Sequence, residues 1–302
     1  MKVLFSHLKK YKRDCILAPL FKLCEATLEL LIPLIVADII DRGVKGGQKN
    51  VVIVDFILMI VCGLAGLAFS LTGQFFSARA ATGFSSDVRE NLFAKLLKLP
   101  LEKTDKIGVS PMITRMTSDI NQLQSGTNLV LRLLLRSPFV VLGALAAALL
   151  IDRKVALVFV AVILLLSVVV ALIMKTTMPR YGEAQRKLDE VSSAARDNLT
   201  GVRVIRAFGA EENETEAYKS KTAAFEKFQD GVGRISSLLN PLTFALVNCA
   251  IVALLYVSGI RVGQGDLTQG QTVALYDYMS QILVELVKFA NLIVSVSKAL
   301  AC

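Results

Sequence analysis

Gly201-Val202-Arg203-Val204-Ile205-Arg206-Ala207-Phe208-Gly209-Ala210-Glu211-Glu212 is the stretch on which the reading of this chain turns. It sits inside a largely polar, proline-free run, residues 180–240, and glycines interrupt the periodicity at both of its ends. Before it, Leu188, Val191, Ala195 and Leu199 recur at helical spacing; after it, Tyr218, Phe225 and Phe228 lie on a returning helix. The pattern predicts a helical hairpin whose tip carries Val202, Val204, Ile205 and Phe208 where a solvated turn would be polar. Exposed apolar groups in such a place mark a docking surface. Arg203 and Arg206 suit its polar rim.

Residues 77–130 repeat the plan. No proline occurs from 51 to 99, and Phe84, Val88, Leu92, Leu96 and Leu99 keep helical spacing. A helix of that length extends about 72 Å against about 30 Å of hydrocarbon, so it continues far beyond a membrane. Pro100, Gly108 and Pro111 supply a turn, after which Ile113, Met116, Ile120 and Leu123 resume the period. The tip Leu101-Glu102-Lys103-Thr104-Asp105-Lys106-Ile107-Gly108 is less apolar and, taken alone, reads as a solvated turn. Arg89-Glu90-Asn91-Leu92 and Arg196-Asp197-Asn198-Leu199 form a short internal echo, in keeping with two related halves of three spans each.

Outside the hairpins the chain is apolar. With 302 residues, 54% hydrophobic and only 20% charged, it exceeds what one soluble core needs to bury, and it is neither disordered nor fibrous. Six spans of membrane length are expected, at about 15–37, 52–76, 131–151, 155–174, 240–260 and 271–294. The fold class is therefore an all-α membrane protein, six transmembrane helices extended into two long helical hairpins at 77–130 and 175–239. The N-terminal segment and the two long loops hold 23 Lys and Arg, against six in the short connections, which places both termini and both hairpins in the cytoplasm of a plasma membrane. The net charge of +9 is thus a matter of topology and gives no sign of nucleic acid.

Lys2, Lys9, Lys10, Lys12 and Arg13 precede the first apolar run as in a signal peptide, but Lys22, Glu25 and Glu29 break that run and no A-x-A-like site follows. It reads as a retained span. Residues 1–13 are expected to form an amphipathic elbow, with Val3, Leu4, Phe5, Leu8 and Tyr11 on one side.

Catalytic and metal chemistry finds no support. Cys15, Cys24, Cys62 and Cys249 lie in apolar stretches, Cys302 is the last residue, no CxxC occurs and His7 stands alone. The pattern G-x-x-x-x-G-K-[ST] is absent, so no phosphate cradle for ATP is expected on this chain. Ionisable residues within spans are costly and face cavities or partners. Lys22, Glu25 and Glu29 share one stripe; Asp277, Gln281, Lys288, Asn291 and Ser295 share another, with Glu285 beside it. Two basic against four acidic residues favour a lipophilic cation in a cavity that Phe244, Asn248, Tyr278 and Phe289 would complete. Lys22 with Glu25, and Glu285 with Lys288, are equally able to neutralise each other at i, i+3. Gly143, Ala144, Ala146, Ala147 and Ala148 read as close helix-packing residues.

Several motifs carry a resemblance. Thr82-Gly83, Asp87-Val88-Arg89, Leu92-Phe93, Lys95-Leu96-Leu97-Lys98-Leu99-Pro100 and Ile113-Thr114-Arg115-Met116-Thr117-Ser118-Asp119-Ile120 resemble the first cytoplasmic loop of ATP-binding-cassette (ABC) exporters. Glu190 to Glu212, through Arg196 to Phe208, resembles the second. Gln122-Leu123-Gln124, Leu131-Arg132 and Arg136-Ser137-Pro138 are most similar to bacterial heterodimeric multidrug exporters. The resemblance implies that both tips are coupling helices on nucleotide-binding domains: Leu101, Asp105 and Gly108 in the first, Gly201 to Arg206, Phe208 and Gly209 in the second. The second would reach the domain of the partner subunit. It also implies a domain-swapped dimer, identical or of paralogues, around one path for a hydrophobic or amphipathic substrate such as a drug, lipid or peptide. ATP and magnesium would bind in a nucleotide-binding domain outside this chain, and without it no ATP-driven transport is expected. Lys103-Thr104 ahead of Asp105 departs from the aromatic pair common there. The alternatives are an ATP-independent secondary transporter or channel, for which the intramembrane charges speak, and a receptor or scaffold docking a soluble partner.

Overall fold

The computed structural model describes residues 8–301, so Val3, Leu4 and Phe5 of the expected elbow, with His7 and Cys302, lie outside the described residues. Every element among the described residues is helical. A 3-10 turn, Lys9–Tyr11, leads into α1 (Lys12–Asp38), which passes through a π-helical segment, Ile39–Val44, to a short turn before α2 (Lys49–Leu97). Two short helices follow, α3 (Leu101–Ile107) and α4 (Val109–Thr114), then a π-helical segment (Arg115–Asp119), α5 (Ile120–Leu133) and α6 (Arg136–Ile151). The chain continues with α7 (Arg153–Thr200), α8 (Val202–Ala207), α9 (Glu211–Ser237), α10 (Leu239–Gly263) and α11 (Gln269–Ala301).

Four stretches are long and apolar enough to cross a membrane: Lys49–Leu97, Pro111–Ile151, Arg153–Thr200 and Pro241–Gly263. The spans expected at 15–37 and 271–294 fall in α1 and α11, whose 27 and 33 residues suffice in length but are interrupted by charge. Helices satisfy their own backbone groups, which is what hydrocarbon requires of a spanning chain. The protein is an all-helical, multi-pass membrane protein.

The chain divides into two compact units, Met1–Ala161 with Ala250–Cys302, and Val162–Cys249. In the first, α1 packs along α2, and α11 packs on α1, α5 and α6. Phe21 stacks on Phe76 at 5.9 Å between centroids and lies 6.0 Å from Phe69. Close approach is set by small residues: a Cβ on Gly143 would lie 2.5 Å from Leu30 Cδ1, and Ala144 and Ala148 are fully buried beside it, whereas Ala146 is exposed. Before α1, Tyr11 seats its ring on Gly83, and its hydroxyl donates to Asp87 at 3.3 Å alongside Lys10 at 3.1 Å. Burial, then the Asp87 charge, pushes the Tyr11 phenol above its ordinary range.

The start of α11 is capped twice. Thr268 and Gln271 form a reciprocal capping box, the Thr268 N–H donating to Gln271 Oε1 at 3.0 Å and the Gln271 N–H to Thr268 Oγ1 at 3.1 Å. Asp41, from the segment after α1, accepts the Gly270 N–H at 3.0 Å and the Thr268 hydroxyl. A side chain at position 270 would collide with the Ala37 carbonyl at 2.3 Å, so glycine is needed there.

Asp152, the single residue between α6 and α7, is the corresponding joint. Its Oδ1 accepts the N–H groups of Lys154 and Val155 at 2.7 and 3.0 Å, and its Oδ2 accepts Arg261 Nη2 at 2.6 Å. Arg261 also pairs with Asp266.

In the second unit, Ala184, Val191 and Ala194 of α7 are buried, as is Val232 of α9, and Lys187 lies over the Phe228 ring at 5.9 Å. The expected stripe through Ala195 and Leu199 is displaced: Leu199 is 76% exposed and Leu188 is 38% exposed. Burial falls instead on Ala184, Val191 and Ala194, and the two leucines turn outward.

Burial alone would raise the Asp152 carboxyl, but the Val155 N–H, Arg261 and the Lys154 N–H together hold it below its ordinary 3.8. A carboxyl depressed by folding stabilises above its unfolded value, and that contribution is lost as pH falls through the folded one. Thermal unfolding in detergent is therefore expected to show an acid limb beginning below about pH 4, and Asp152→Ala should shrink that limb while costing about 2 kcal/mol at neutral pH. An unchanged acid limb in the variant would remove Asp152 as its origin.

Candidate functional site

Polar residues of α1, α6 and α11 gather around a side chain that does not belong to the charge stripes read from the sequence. Arg136, the first residue of α6, is 8% exposed; its Nη1 donates to Glu285 Oε1 of α11 and its Nη2 to Glu29 Oε2 of α1, both at 2.5 Å. Glu285, 3% exposed, also accepts the Ser137 hydroxyl at 2.8 Å and Lys288 Nζ at 2.9 Å. Its carboxylate therefore lies at the N-terminal end of α6, where the helix dipole favours negative charge. One further pair lies along α1: Lys22 donates to Glu25 at 2.5 Å and to Ser70 of α2 at 3.0 Å.

Tyr278 completes the tie between α11 and α1. Fully buried, it donates its hydroxyl to the Leu30 carbonyl at 2.7 Å. That carbonyl lies in the turn before Pro33, which has no N–H and disturbs the local ladder.

The structure thus brings Glu29, Glu285, Lys288 and Tyr278 to one set of contacts and Lys22 with Glu25 to another. It leaves Asp277 half-buried and without a hydrogen bond or ion pair among the described residues. Gln281 and Phe289 are half-buried, and Asn291 is exposed. Phe244 and Asn248 belong to the second unit; Phe244 is 70% exposed, and the Asn248 amide donates to the Phe244 carbonyl at 2.8 Å. Arg136 and Ser137 are the functional candidates missing from the stripes. The signal for Arg136 was available, a guanidinium five residues inside an expected span; with Arg132 in the same span and Asp55 in the second, the balance becomes four bases against five acids. Arg136 and Lys288 offset Glu29 and Glu285, and Lys22 offsets Glu25, which leaves Arg132, Asp55 and Asp277 outside these pairs.

The outward faces of α2 and α11 differ. On α2, Phe56, Ile60, Leu64, Leu67, Leu71 and Phe75 are all exposed, and residues 56–69 include no polar side chain. On α11 one side is buried through Ala274, Leu275, Tyr278, Ile282 and Glu285, while Lys288 and Asn291 are exposed on the other, with Asp277, Ser280 and Gln281 half-buried. An apolar face suits lipid. A polar one at membrane depth requires water or a partner.

The tips are helical. In the first, Gly108 separates α3 from α4 at φ +80°, a conformation that favours glycine. Leu101 is 82% exposed, and Leu97, Val109 and Ile113 are exposed around it, with Asp105 exposed as well. The first tip is therefore flanked by more exposed apolar side chains than its eight-residue segment contains. In the second, Gly201 precedes α8, and Gly209, at φ +60°, ends it in a Schellman arrangement: the Ala210 N–H donates to Ile205 O at 3.0 Å and the Gly209 N–H to Arg206 O at 3.3 Å. Phe208 and Val204 are exposed, with Val202, Arg203 and Arg206 also on the surface. Ile205 turns inward to a cleft of about 470 Å³ shared with Asp197, Asn198, Glu214 and Tyr218.

Residues 15–286 match the family described as the ABC transporter transmembrane region. The chain belongs to that family. This ABC transporter membrane domain is 24% identical over its full length to an uncharacterized ABC transporter ATP-binding protein of Mycobacterium tuberculosis, covering 52% of that protein. It is 26% identical, again over its full length and 52% of the relative, to the uncharacterized ABC transporter ATP-binding protein YfiB of Bacillus subtilis. An ATP-dependent lipid A-core flippase of Pseudomonas fluorescens is 25% identical over 73% of this chain and 36% of the flippase. The chain spans about half the length of the first of these relatives. Among the described residues of this ABC transporter membrane domain, no group of three or more His, Cys, Asp or Glu is placed to hold a metal ion.

Removing one member of a buried ion network leaves the others uncompensated, at a cost of about 3 to 5 kcal/mol. Arg136→Leu is expected to destabilise the domain by an amount of that order in detergent melts, and Tyr278→Phe by about 1 kcal/mol. Equal, small losses for both would show that the guanidinium is not the hub.

Proposed function

We propose that this chain is the membrane-spanning half of an ATP-driven exporter subunit that forms a translocation path for a hydrophobic or amphipathic substrate. All six spans cross the membrane in this reading, α1 and α11 included, and a second subunit, identical or paralogous, closes the path as a domain-swapped dimer. The termini and both hairpins are cytoplasmic, in a bacterial inner membrane. Nucleotide-binding domains supply ATP and magnesium chemistry; no residue of this chain is assigned to it.

The observation that carries the reading is the pair of apolar helical tips. Leu101 and Phe208 are 82% and 83% exposed at the ends of polar hairpins, a placement that gains nothing from water and suits a partner's groove. Leu101, Asp105 and Gly108 form the first coupling helix, and Gly201 to Gly209 the second, with Arg203 and Arg206 at its rim. The names of the relatives, ATP-binding proteins and an ATP-dependent flippase, support the partner's chemistry. The polar face of α11 is the wall of the path. A secondary transporter, channel, receptor or scaffold gives the two tips together with that polar face no common role, and the mutual pairing of Lys22, Glu25, Glu29, Arg136, Glu285 and Lys288 weakens the case for charge-coupled transport.

In a complete exporter carrying this domain in liposomes, Val204→Asp with Phe208→Asp should lower substrate-stimulated ATP hydrolysis and ATP-dependent dye uptake by about tenfold or more, with thermal unfolding unchanged. Full activity in that double variant would overturn the coupling role.

A further inference from the structure

Carboxylates along α1 and α11 divide into two kinds. Glu25 meets Lys22, Glu29 meets Arg136, and Glu285 meets Arg136, Ser137 and Lys288. Asp277 meets no hydrogen-bond donor and no cation among the described residues, although it is half-buried and lies eight residues into α11 from Gln269. One turn further on, Gln281 Oε1 is buried and has no donor either. Residues four apart lie on one side of a helix, about 6 Å along its axis, so two unsatisfied acceptors share that side. Asp55 of α2 also has an unpartnered oxygen, but the residues that follow it, 56–69, include no polar side chain, so no second acceptor converges on it.

An ionised carboxylate within hydrocarbon thickness demands a compensating charge. For Asp277 this unit supplies none. We propose that Asp277, with the Gln281 side-chain carbonyl beside it, is the contact by which the α11 face selects a lipophilic cation bearing N–H donors. The inference rests on the export reading and narrows it: Glu25, Glu29 and Glu285 are structural, and charge selection falls to Asp277. The cation's nitrogen is held by the carboxylate, the Gln281 amide turns its Oε1 outward to accept an N–H, and the apolar body lies against Tyr276 and Val284, 40% and 52% exposed on the same helix.

The test uses the complete exporter in lipid nanodiscs with two fluorescent probes, ethidium, a monocation with amino groups, and phenylnaphthylamine, which is neutral. Asp277→Asn is expected to weaken ethidium binding about tenfold, the scale of one charge-assisted contact, and to leave phenylnaphthylamine binding unchanged. Asp277→Glu should retain the preference for ethidium. Unchanged ethidium binding by Asp277→Asn overturns the proposal, and so does a parallel loss of both probes, which marks a structural role. ATP-dependent uptake by the unmodified exporter tests the export reading separately: its absence for both probes sinks that reading, whereas uptake of either with unaltered probe selectivity in Asp277→Asn sinks only the assignment to Asp277.

Discussion

The first unit depends on a guanidinium held between two carboxylates. Arg136 joins Glu29 and Glu285, residues separated from it by 107 and 149 positions, and so ties α6 to α1 and α11 at once. Each ion loses hydration worth several kcal/mol on burial, so the group persists only with all partners in place. That requirement fixes rotation as well as proximity. A turn of α11 by one residue would take Glu285 from Arg136 and Tyr278 from the Leu30 carbonyl together.

Once those rotations are set, the outward faces follow. α11 buries Leu275, Tyr278, Ile282 and Glu285, and its other side shows Asp277, Ser280, Lys288 and Asn291. α2, anchored on α1 through Phe21, Phe69, Phe76 and the approach at Gly73, turns an unbroken apolar face outward. Lipid suits the second, and a polar face like the first is costly wherever it meets hydrocarbon. At the helix ends, Asp41 and Asp152 hold α11 and α7 from neighbouring segments, so tertiary contacts as well as local caps define where those helices begin.

Helix existence was legible at long range because periodicity and the lack of proline are local properties. α2 runs through 49 residues without a break, in accord with the spacing of Phe84, Val88, Leu92 and Leu96. Less legible was which side of an arm would be buried. Leu199 has the hydrophobicity of a packing residue, yet it is exposed while Ala184, Val191 and Ala194 are buried. The first tip read as solvated from eight residues because the exposed Leu97, Val109 and Ile113 lie outside that segment.

Sequence by itself determined the all-helical membrane class, the proline-free arms, and the apolar tip at Val202 to Phe208, all of which arise from composition and short-range spacing. Tertiary structure alone decided the fate of the charges. Lys22 and Glu25, at i, i+3, could pair within their own helix, and they do; Glu29 required an arginine from α6, and Glu285 shares it. Electrostatic compensation depends on distance through space across helices far apart in the chain, and no stripe on a single helix encodes it. For that reason six ionisable groups resolved into internal pairs, while Asp277, indistinguishable from them in sequence, was left without a counter-ion in its unit.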